Sequence, residues 1–175
     1  MVNRIILVIS IAGCAWAAQE LTNKTTLAIK GMSVEEVQGY LAGHGMGFAK
    51  AAELNQHPGP KHVLELADPL QLTKEQIERT QTVYNEMHAA AVQFGKLYVE
   101  KEAALDSLFL HSQIDEPRLR KLVSEIEGLR ADLRFVHLRA HLETKTILSD
   151  KQIAEYDRLR GYSRSQNKNY HQGHH

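Results

Sequence analysis

Two long apolar seams separated by one short turn constrain the fold of this chain more than any other feature. In the first seam, apolar side chains recur every seven residues, at Ile77, Tyr84, Ala91, Tyr98 and Leu105. In the second, steps of three and four alternate through Leu119, Leu122, Ile126, Leu129, Leu133, Val136, Ala140 and Ile147. Such spacing keeps one face of an α-helix apolar. With a turn at residues 111–114, the sequence predicts two long helices that pack as an antiparallel hairpin.

Two similar five-residue stretches flank this predicted hairpin, LTKEQ at residues 72–76 and LSDKQ at residues 148–152. In each, a hydroxyl can accept a hydrogen bond from the backbone N–H three residues on, while a glutamine accepts one from the hydroxyl residue's own N–H. The leucine before the hydroxyl residue can pack on the new helix. We therefore expect a helix to begin at each stretch. The residues with these roles are Leu72, Thr73 and Gln76 in the first stretch and Leu148, Ser149 and Gln152 in the second.

The segment before the first stretch predicts shorter helices separated by turns. Ser33 and Glu36 form a third capping box, so a helix is expected to run to about residue 42, where a glycine-rich loop breaks it. Two further short helices are expected over residues 48–55 and 62–67. We expect these pieces to pack as a lid on the hairpin.

The first residues have the features of an export signal. Arg4 precedes an apolar run over residues 5–12 that is too short to span a bilayer, and residues 15–17 read AWA, a small-x-small cleavage site. The same region also fits a lipobox at residues 11–14, in which Cys14 would become the lipid-bearing first residue. Both interpretations place the chain in the bacterial periplasm, free or lipid-anchored. The predicted organisation is signal peptide 1–17, linker 18–31, helical domain 32–162 and a disordered, histidine-containing tail 163–175.

Charge balance and residue usage argue against several functions. Lys and Arg together number 21, as do Asp and Glu, so no net field holds the chain on nucleic acid. Cys14 is the only cysteine, which leaves no disulfide framework and no thiolate metal site after export. No nucleophile motif is present, and Leu138 stands where a zinc-protease helix needs a glutamate. We expect no enzyme, no nucleic-acid partner and no membrane contact beyond a lipid anchor.

Histidine is the unusual residue, with ten copies. His137 and His141 lie one turn apart on the second long helix, a spacing at which two imidazoles can share a metal ion. A turn centred at residues 112–113 puts His88 opposite His137, and the three would form a zinc, nickel or copper site. The alternative, which the sequence favours because histidine pairs on helices are common, leaves them beside the seam with their polar tips in water.

Other potential metal ligands lie near the predicted lid and in the tail. A flexible histidine-containing tail can hold metal only loosely, because it loses conformational entropy on binding. The simpler alternative is a solvated tail. Neither interpretation requires a resident cofactor. The residues concerned are His44, Met46, His57 and His62 near the lid and His171, His174 and His175 in the tail.

The two pentapeptides around a long helical hairpin, behind an export signal, resemble the periplasmic LTxxQ-motif family. That family includes the Spy, CpxP and zinc-resistance-associated proteins and, more distantly, the heavy-metal sensors of the CnrX type. The resemblance implies an all-α fold and a dimeric cradle that binds unfolded clients without ATP, damps a stress signal or binds metal. At the two positions where the sensors carry metal ligands, this sequence has Ala140 and Thr144, which cannot serve as such ligands. The metal site of the sensors is therefore not carried over.

Surplus apolar surface on the hairpin gives the main functional hypothesis. A two-helix arm about 50 Å long leaves an outer apolar face, and such patches rimmed by charge suit weak binding of unfolded chains. We therefore expect an envelope-stress accessory protein of the Spy and CpxP type that acts on unfolded envelope proteins or a membrane sensor. The alternatives are a homodimer that buries the same surface and a periplasmic heavy-metal binding or sensing protein. The candidate client-binding residues are Tyr84, Phe94, Leu97, Tyr98 and Phe109.

Overall fold

A computed structural model describes residues 29–162, and in that range it contains six α-helices and no β-strand. Their bounds are α1 Val34–Leu41, α2 Lys50–Glu53, α3 Pro60–Glu65, α4 Lys74–Leu110, α5 Glu116–Ile147 and α6 Asp150–Leu159. Helices α4 and α5 pack side by side as an antiparallel hairpin, in which Lys101 on α4 pairs with Glu125 on α5 at 2.6 Å. The prediction of an all-α fold, built on a long antiparallel helical hairpin with short flanking helices, is confirmed.

Several predictions concern segments that lie wholly or mostly outside the described range. These are signal peptide 1–17 with the lipobox at Cys14, linker 18–31, and tail 163–175 with His171, His174 and His175. The end of the linker is described, and there Ile29 is buried against Val37 and Val99. No helix within residues 29–162 is long and apolar enough to cross a membrane.

Capping boxes begin three of the helices, as predicted. The Thr73 hydroxyl accepts a hydrogen bond from the Gln76 N–H at 3.2 Å, and the Gln76 side-chain oxygen accepts one from the Thr73 N–H at 3.0 Å. Ser149 and Gln152 make the same two bonds at 3.3 and 2.9 Å, and a third box begins α1. The two pentapeptides therefore start α4 and α6 by satisfying backbone donors that no helical carbonyl can reach.

Residues 34–65, which we call the lid, carry α1 to α3 and pack along one side of the hairpin. Two lid helices differ from the sequence prediction. Helix α2 covers only Lys50–Glu53, against the predicted 48–55, and α3 begins at Pro60, two residues earlier than predicted. Proline suits this first position because its missing N–H would have no helical partner there.

The two pentapeptides also contact each other, which the sequence did not reveal. Gln76 Nε2 donates to Gln152 Oε1 at 2.9 Å, and Gln152 Nε2 donates to Gln76 Oε1 at 3.0 Å. Each amide nitrogen also donates to a main-chain carbonyl, Gln76 to Ile147 and Gln152 to Leu70. This pair of amides, the glutamine clasp, joins the start of α4 to the α5–α6 junction.

Breaking the glutamine clasp should destabilise the fold. We expect Gln152→Ala to lower the free energy of unfolding by about 3 kcal/mol, because it removes three partly buried hydrogen bonds worth about 1 kcal/mol each. Urea denaturation measures the loss. Gln81→Ala is the matched control, since Gln81 makes only an exposed bond to Asn85 and should change stability by less than about 0.5 kcal/mol. Equal stability of the two variants would show that the clasp is not formed in solution.

Apolar contacts hold the lid at three places, one of which is the contact of Val37 with Val99 described above. Near the glutamine clasp, Val63 of α3 is fully buried with Leu148, Ile153 and Tyr156. Further along the hairpin, the lid side chains Tyr40 and Phe48 pack on a buried cluster formed by Tyr98, Ile126 and Leu133. The lid is therefore part of the hydrophobic core.

Candidate metal centre

A cavity of about 490 Å³ lies between the lid and the hairpin. Five of the seven histidines in residues 29–162 line it, as do two methionines and one glutamate. Lid histidines and hairpin histidines, which the sequence does not bring together, therefore line one cavity. The residues are His44, Met46, Glu53 and His62 from the lid and Met87, His88, His137 and His141 from the hairpin.

His137 is the most unusual residue of the cavity. Its side chain is 4% exposed, and its Nε2 has no hydrogen-bond partner among the described residues. Phe48 of the lid stacks on the ring at 6.2 Å. Burial, assisted by His141 and His88, lowers the pKa of His137 to about 4. The ring is therefore neutral near pH 7, and a buried polar atom without a partner is costly unless a ligand satisfies it.

The other two hairpin imidazoles are held by backbone carbonyls. His141 Nδ1 donates to the His57 carbonyl at 2.6 Å, which leaves the lone pair of the neutral ring on Nε2. His88 Nε2 donates to the Ala42 carbonyl at 3.1 Å, which leaves the lone pair on Nδ1. Histidines that bind metals characteristically donate their second ring N–H in this way. In the neutral form, each ring therefore carries its N–H on the nitrogen that faces the carbonyl and its lone pair on the other nitrogen.

Gly59 gives the His141 ring its space. A Cβ at this position would lie 2.9 Å from His141 Nε2 and 3.2 Å from Glu53 Oε2, both closer than ordinary contacts. Glycine therefore lets the turn before α3 approach the ring closely. Burial is the main cause that lowers the pKa of His141, so this imidazole too favours its neutral form.

Glu53 on α2 connects the lid to the rest of the site. The Tyr156 hydroxyl donates to its carboxylate, as does the Tyr162 hydroxyl at 3.2 Å. His62 Nδ1 lies 3.4 Å and His141 Nδ1 3.6 Å from its two oxygens. Glu53 could not be recognised from the sequence, because nothing around it in the chain differs from the surroundings of an ordinary helical glutamate. Its contacts come from residues far away along the sequence.

Comparison with protein-family models matches residues 27–155 to the family described as heavy-metal resistance. The chain belongs to the heavy-metal resistance family. This family is part of the Spy, CpxP and zinc-resistance-associated group of LTxxQ helical proteins, so the predicted resemblance is confirmed. Its members are typically exported accessory proteins without catalytic activity. The curated proteins and the solved structures compared with the chain include no match.

The cavity of this heavy-metal resistance protein suits a metal ion by its donor types. Imidazole nitrogens and thioether sulfurs bind borderline and soft metals, and the buried Nε2 of His137 lacks a partner. Within residues 29–162, no three His, Cys, Asp or Glu side chains converge closely enough to hold an ion together. An ion in the cavity would therefore use fewer of these ligands, add a methionine, or draw the lid inward.

The structure places the predicted metal ligands differently from the solvated alternative. His88, His137 and His141 line one cavity. No three His, Cys, Asp or Glu side chains of the described residues converge on one point, so a site formed by these three histidines stays a prediction. The interpretation that their polar tips lie in water is wrong for His137 and His141, which are buried because the lid covers the flank of the seam.

The predicted client-binding residues are divided between the interior and the surface. Leu97 and Phe109 are exposed, whereas Phe94 is half-buried beside the core. Tyr84 lines the cavity and stacks on His88 at 5.6 Å. Tyr98 is only 8% exposed because it belongs to the seam and packs on Tyr40. In this structure Tyr98 presents no surface to a client.

Proposed function

We propose that this heavy-metal resistance protein captures a metal cation in the bacterial envelope, within the cavity between the lid and the hairpin. The observation that carries the proposal is the buried, unpartnered Nε2 of His137 in a space lined by four further imidazoles. Bound metal would satisfy that atom, and zinc, nickel and copper all accept imidazole ligands.

Each part of the cavity has a role in this proposal. His88, His137 and His141 supply ring nitrogens from the hairpin, while His44 and His62 bring imidazoles from the lid. The Glu53 carboxylate lies 3.4 Å from His62 Nδ1 and 3.6 Å from His141 Nδ1 and would place negative charge beside both rings. An ion held between the two parts would tie the lid to the hairpin, so metal binding would also stabilise the fold.

Titration of the full chain with zinc, nickel and copper ions tests the proposal. His171, His174 and His175 are replaced by alanine in every sample, so that the tail does not bind the ion. We expect His137→Ala to weaken binding at least about tenfold, whereas His111→Ala, an exposed histidine at the hairpin turn, leaves the affinity unchanged. Saturating metal at about 100 times its Kd should stabilise the parent by about 2.7 kcal/mol.

A second variant guards against misfolding of the first. His88 is only half-buried, so His88→Ala should keep the fold and still weaken binding. Equal affinity for His137→Ala, His88→Ala and His111→Ala would exclude the cavity as the metal site.

A second candidate function is binding of unfolded envelope proteins. Large apolar side chains are exposed on the hairpin, among them Phe109 at 54%, Phe135 at 60% and Leu142 at 58%. Exposed apolar side chains of this size suit weak client binding, contact with a membrane sensor, or burial in a homodimer. An assay of the aggregation of a denatured client separates these functions. If the exposed apolar side chains bind clients, the parent protein should suppress aggregation and Phe135→Ser should not. If metal capture is the sole role, the parent protein should not suppress aggregation either.

A further inference from the structure

We propose that the cavity selects a soft monovalent cation, Cu(I) or Ag(I), and that the thioether of Met87 binds it beside the hairpin imidazoles. This inference rests on the metal-capture function proposed above and adds the chemical class of the ion. Three independent features of the cavity support it: its sulfur donors, its charge and its small number of convergent ligands.

Sulfur is concentrated at this cavity. Of the three methionines in residues 29–162, Met46 and Met87 line it, while Met32 packs in hydrophobic clusters elsewhere. Met87 is 8% exposed, so the hairpin itself brings a buried thioether to the cavity wall. The sulfur of Met46 lies against Gly39 of α1, where a Cβ would be 2.5 Å from it, and Gly39 does not line the cavity, so Met87 is the sulfur donor of this proposal. Thioether sulfur favours Cu(I) over harder divalent ions.

The charges of the wall disfavour a divalent ion. Lys50, Lys61 and Arg160 are cationic and line the cavity, whereas Glu53 is the only carboxylate that residues 29–162 contribute to its wall. That carboxylate already accepts hydrogen bonds from Tyr156 and Tyr162 and lies 3.8 Å from Arg160. Adding two positive charges to such a wall costs more electrostatic energy than adding one.

The number of available ligands points the same way. Zinc sites in proteins are almost always tetrahedral, with at least three protein ligands. No three His, Cys, Asp or Glu side chains of the described residues converge on one point, but methionine is outside that set. Cu(I) and Ag(I) form stable low-coordinate complexes, so two imidazoles with one thioether suffice. His137, whose Nε2 has no partner among the described residues, is the central imidazole of this set.

Competition titrations against a colorimetric chelator test the inference. The full chain, with its three tail histidines replaced by alanine, is titrated with Ag(I), with Cu(I) under anaerobic reducing conditions, and with Zn(II) and Ni(II). We expect one monovalent ion per chain, bound more tightly than either divalent ion. Met87→Leu should weaken Ag(I) and Cu(I) binding at least about tenfold and change Zn(II) and Ni(II) binding less than about twofold.

Two further variants and a spectroscopic measurement complete the design. Met32→Leu is the matched control and should change no affinity, because Met32 lies outside the cavity wall. Met46→Leu tests the second sulfur at an exposed lid position. It remains informative if Met87→Leu alters the packing of the hairpin. X-ray absorption at the copper edge should show a sulfur neighbour in the parent that Met87→Leu removes.

The outcomes separate this inference from the function on which it rests. Tighter binding of Zn(II) or Ni(II) that depends on His137, with no effect of either methionine, would overturn the monovalent assignment and leave metal capture standing. If none of the four ions shows binding that depends on His137, both the monovalent assignment and the metal-capture function are wrong.

Discussion

Gly95→Ala should lower the free energy of unfolding by about 2 kcal/mol. Gly95 lies in the middle of α4, where the end of α1 crosses it, and a Cβ there would overlap the carbonyl oxygen of Tyr40 and lie 2.8 Å from its carbonyl carbon. The obstacle is backbone, so α1 must move away from the hairpin. Such overpacking costs about 1–3 kcal/mol or more, which outweighs the roughly 1 kcal/mol that alanine gains over glycine in a helix.

Gly128→Ala is the matched control for this substitution. Gly128 also lies within a long helix, but it is exposed and a Cβ there would meet nothing within 4 Å. This variant should therefore gain about 0.5–1 kcal/mol. Chemical denaturation of both variants gives the comparison. If Gly95→Ala were stabilised as much as Gly128→Ala, the close packing of α1 on α4 would be wrong.

Gly95→Ala should also weaken metal binding. Tyr40 packs on Tyr98 at 4.7 Å and on Phe48 at 6.3 Å, and Phe48 stacks on His137. Displacement of α1 would therefore disturb the ring that covers the buried imidazole. This series of aromatic contacts links the packing of the lid to the geometry of the cavity.

In the metal-free protein, the titration of His137 alone should lower the free energy of unfolding by about 3 kcal/mol as the pH falls from 7 to 4. The pKa of this imidazole is about 4 in the folded chain, against 6.5 for an exposed histidine, because of burial and its neighbours His88 and His141. Between these two values the unfolded chain binds a proton that the folded chain refuses. The contribution of the neutral His137 ring to the free energy of unfolding is therefore fully present above pH 6.5 and is lost as the pH approaches 4.

Urea denaturation in EDTA at pH 7.5, 6, 5 and 4 measures this loss. His141, whose pKa is also lowered by burial, should add to it in the same direction. His137→Leu removes one titrating ring and should show a shallower fall in stability than the parent. Parallel curves for the two proteins would contradict the burial of a neutral His137.

The sequence was sufficient for the features that depend on neighbours along the chain. Helix starts at Thr73 and Ser149 are set by side chains three residues apart, and the hairpin follows from apolar spacing within each helix. His88 was placed beside His137 because a short turn fixes the register of two antiparallel helices. Each of these features is encoded within one helix or across one turn.

The features that the sequence did not reveal depend on the lid. Spacing on α5 could not show that Phe48 covers His137, or that the His57 carbonyl orients His141. Glu53 and the glutamine clasp were missed for the same reason, since their partners are far away along the chain. The periodicity of a helix defines its apolar face and contains no information about which flank a distant segment covers.

Anomalous diffraction at a metal absorption edge, from crystals of the full chain grown with Ag(I), is the most direct test of the cavity as a metal site. We predict one strong peak between the lid and the hairpin, within bonding distance of His137. A peak found only at His171, His174 or His175, or no ordered peak at all, from crystals grown with Ag(I) and likewise from crystals grown with Zn(II) or Ni(II), would contradict the proposed metal-capture function of the cavity.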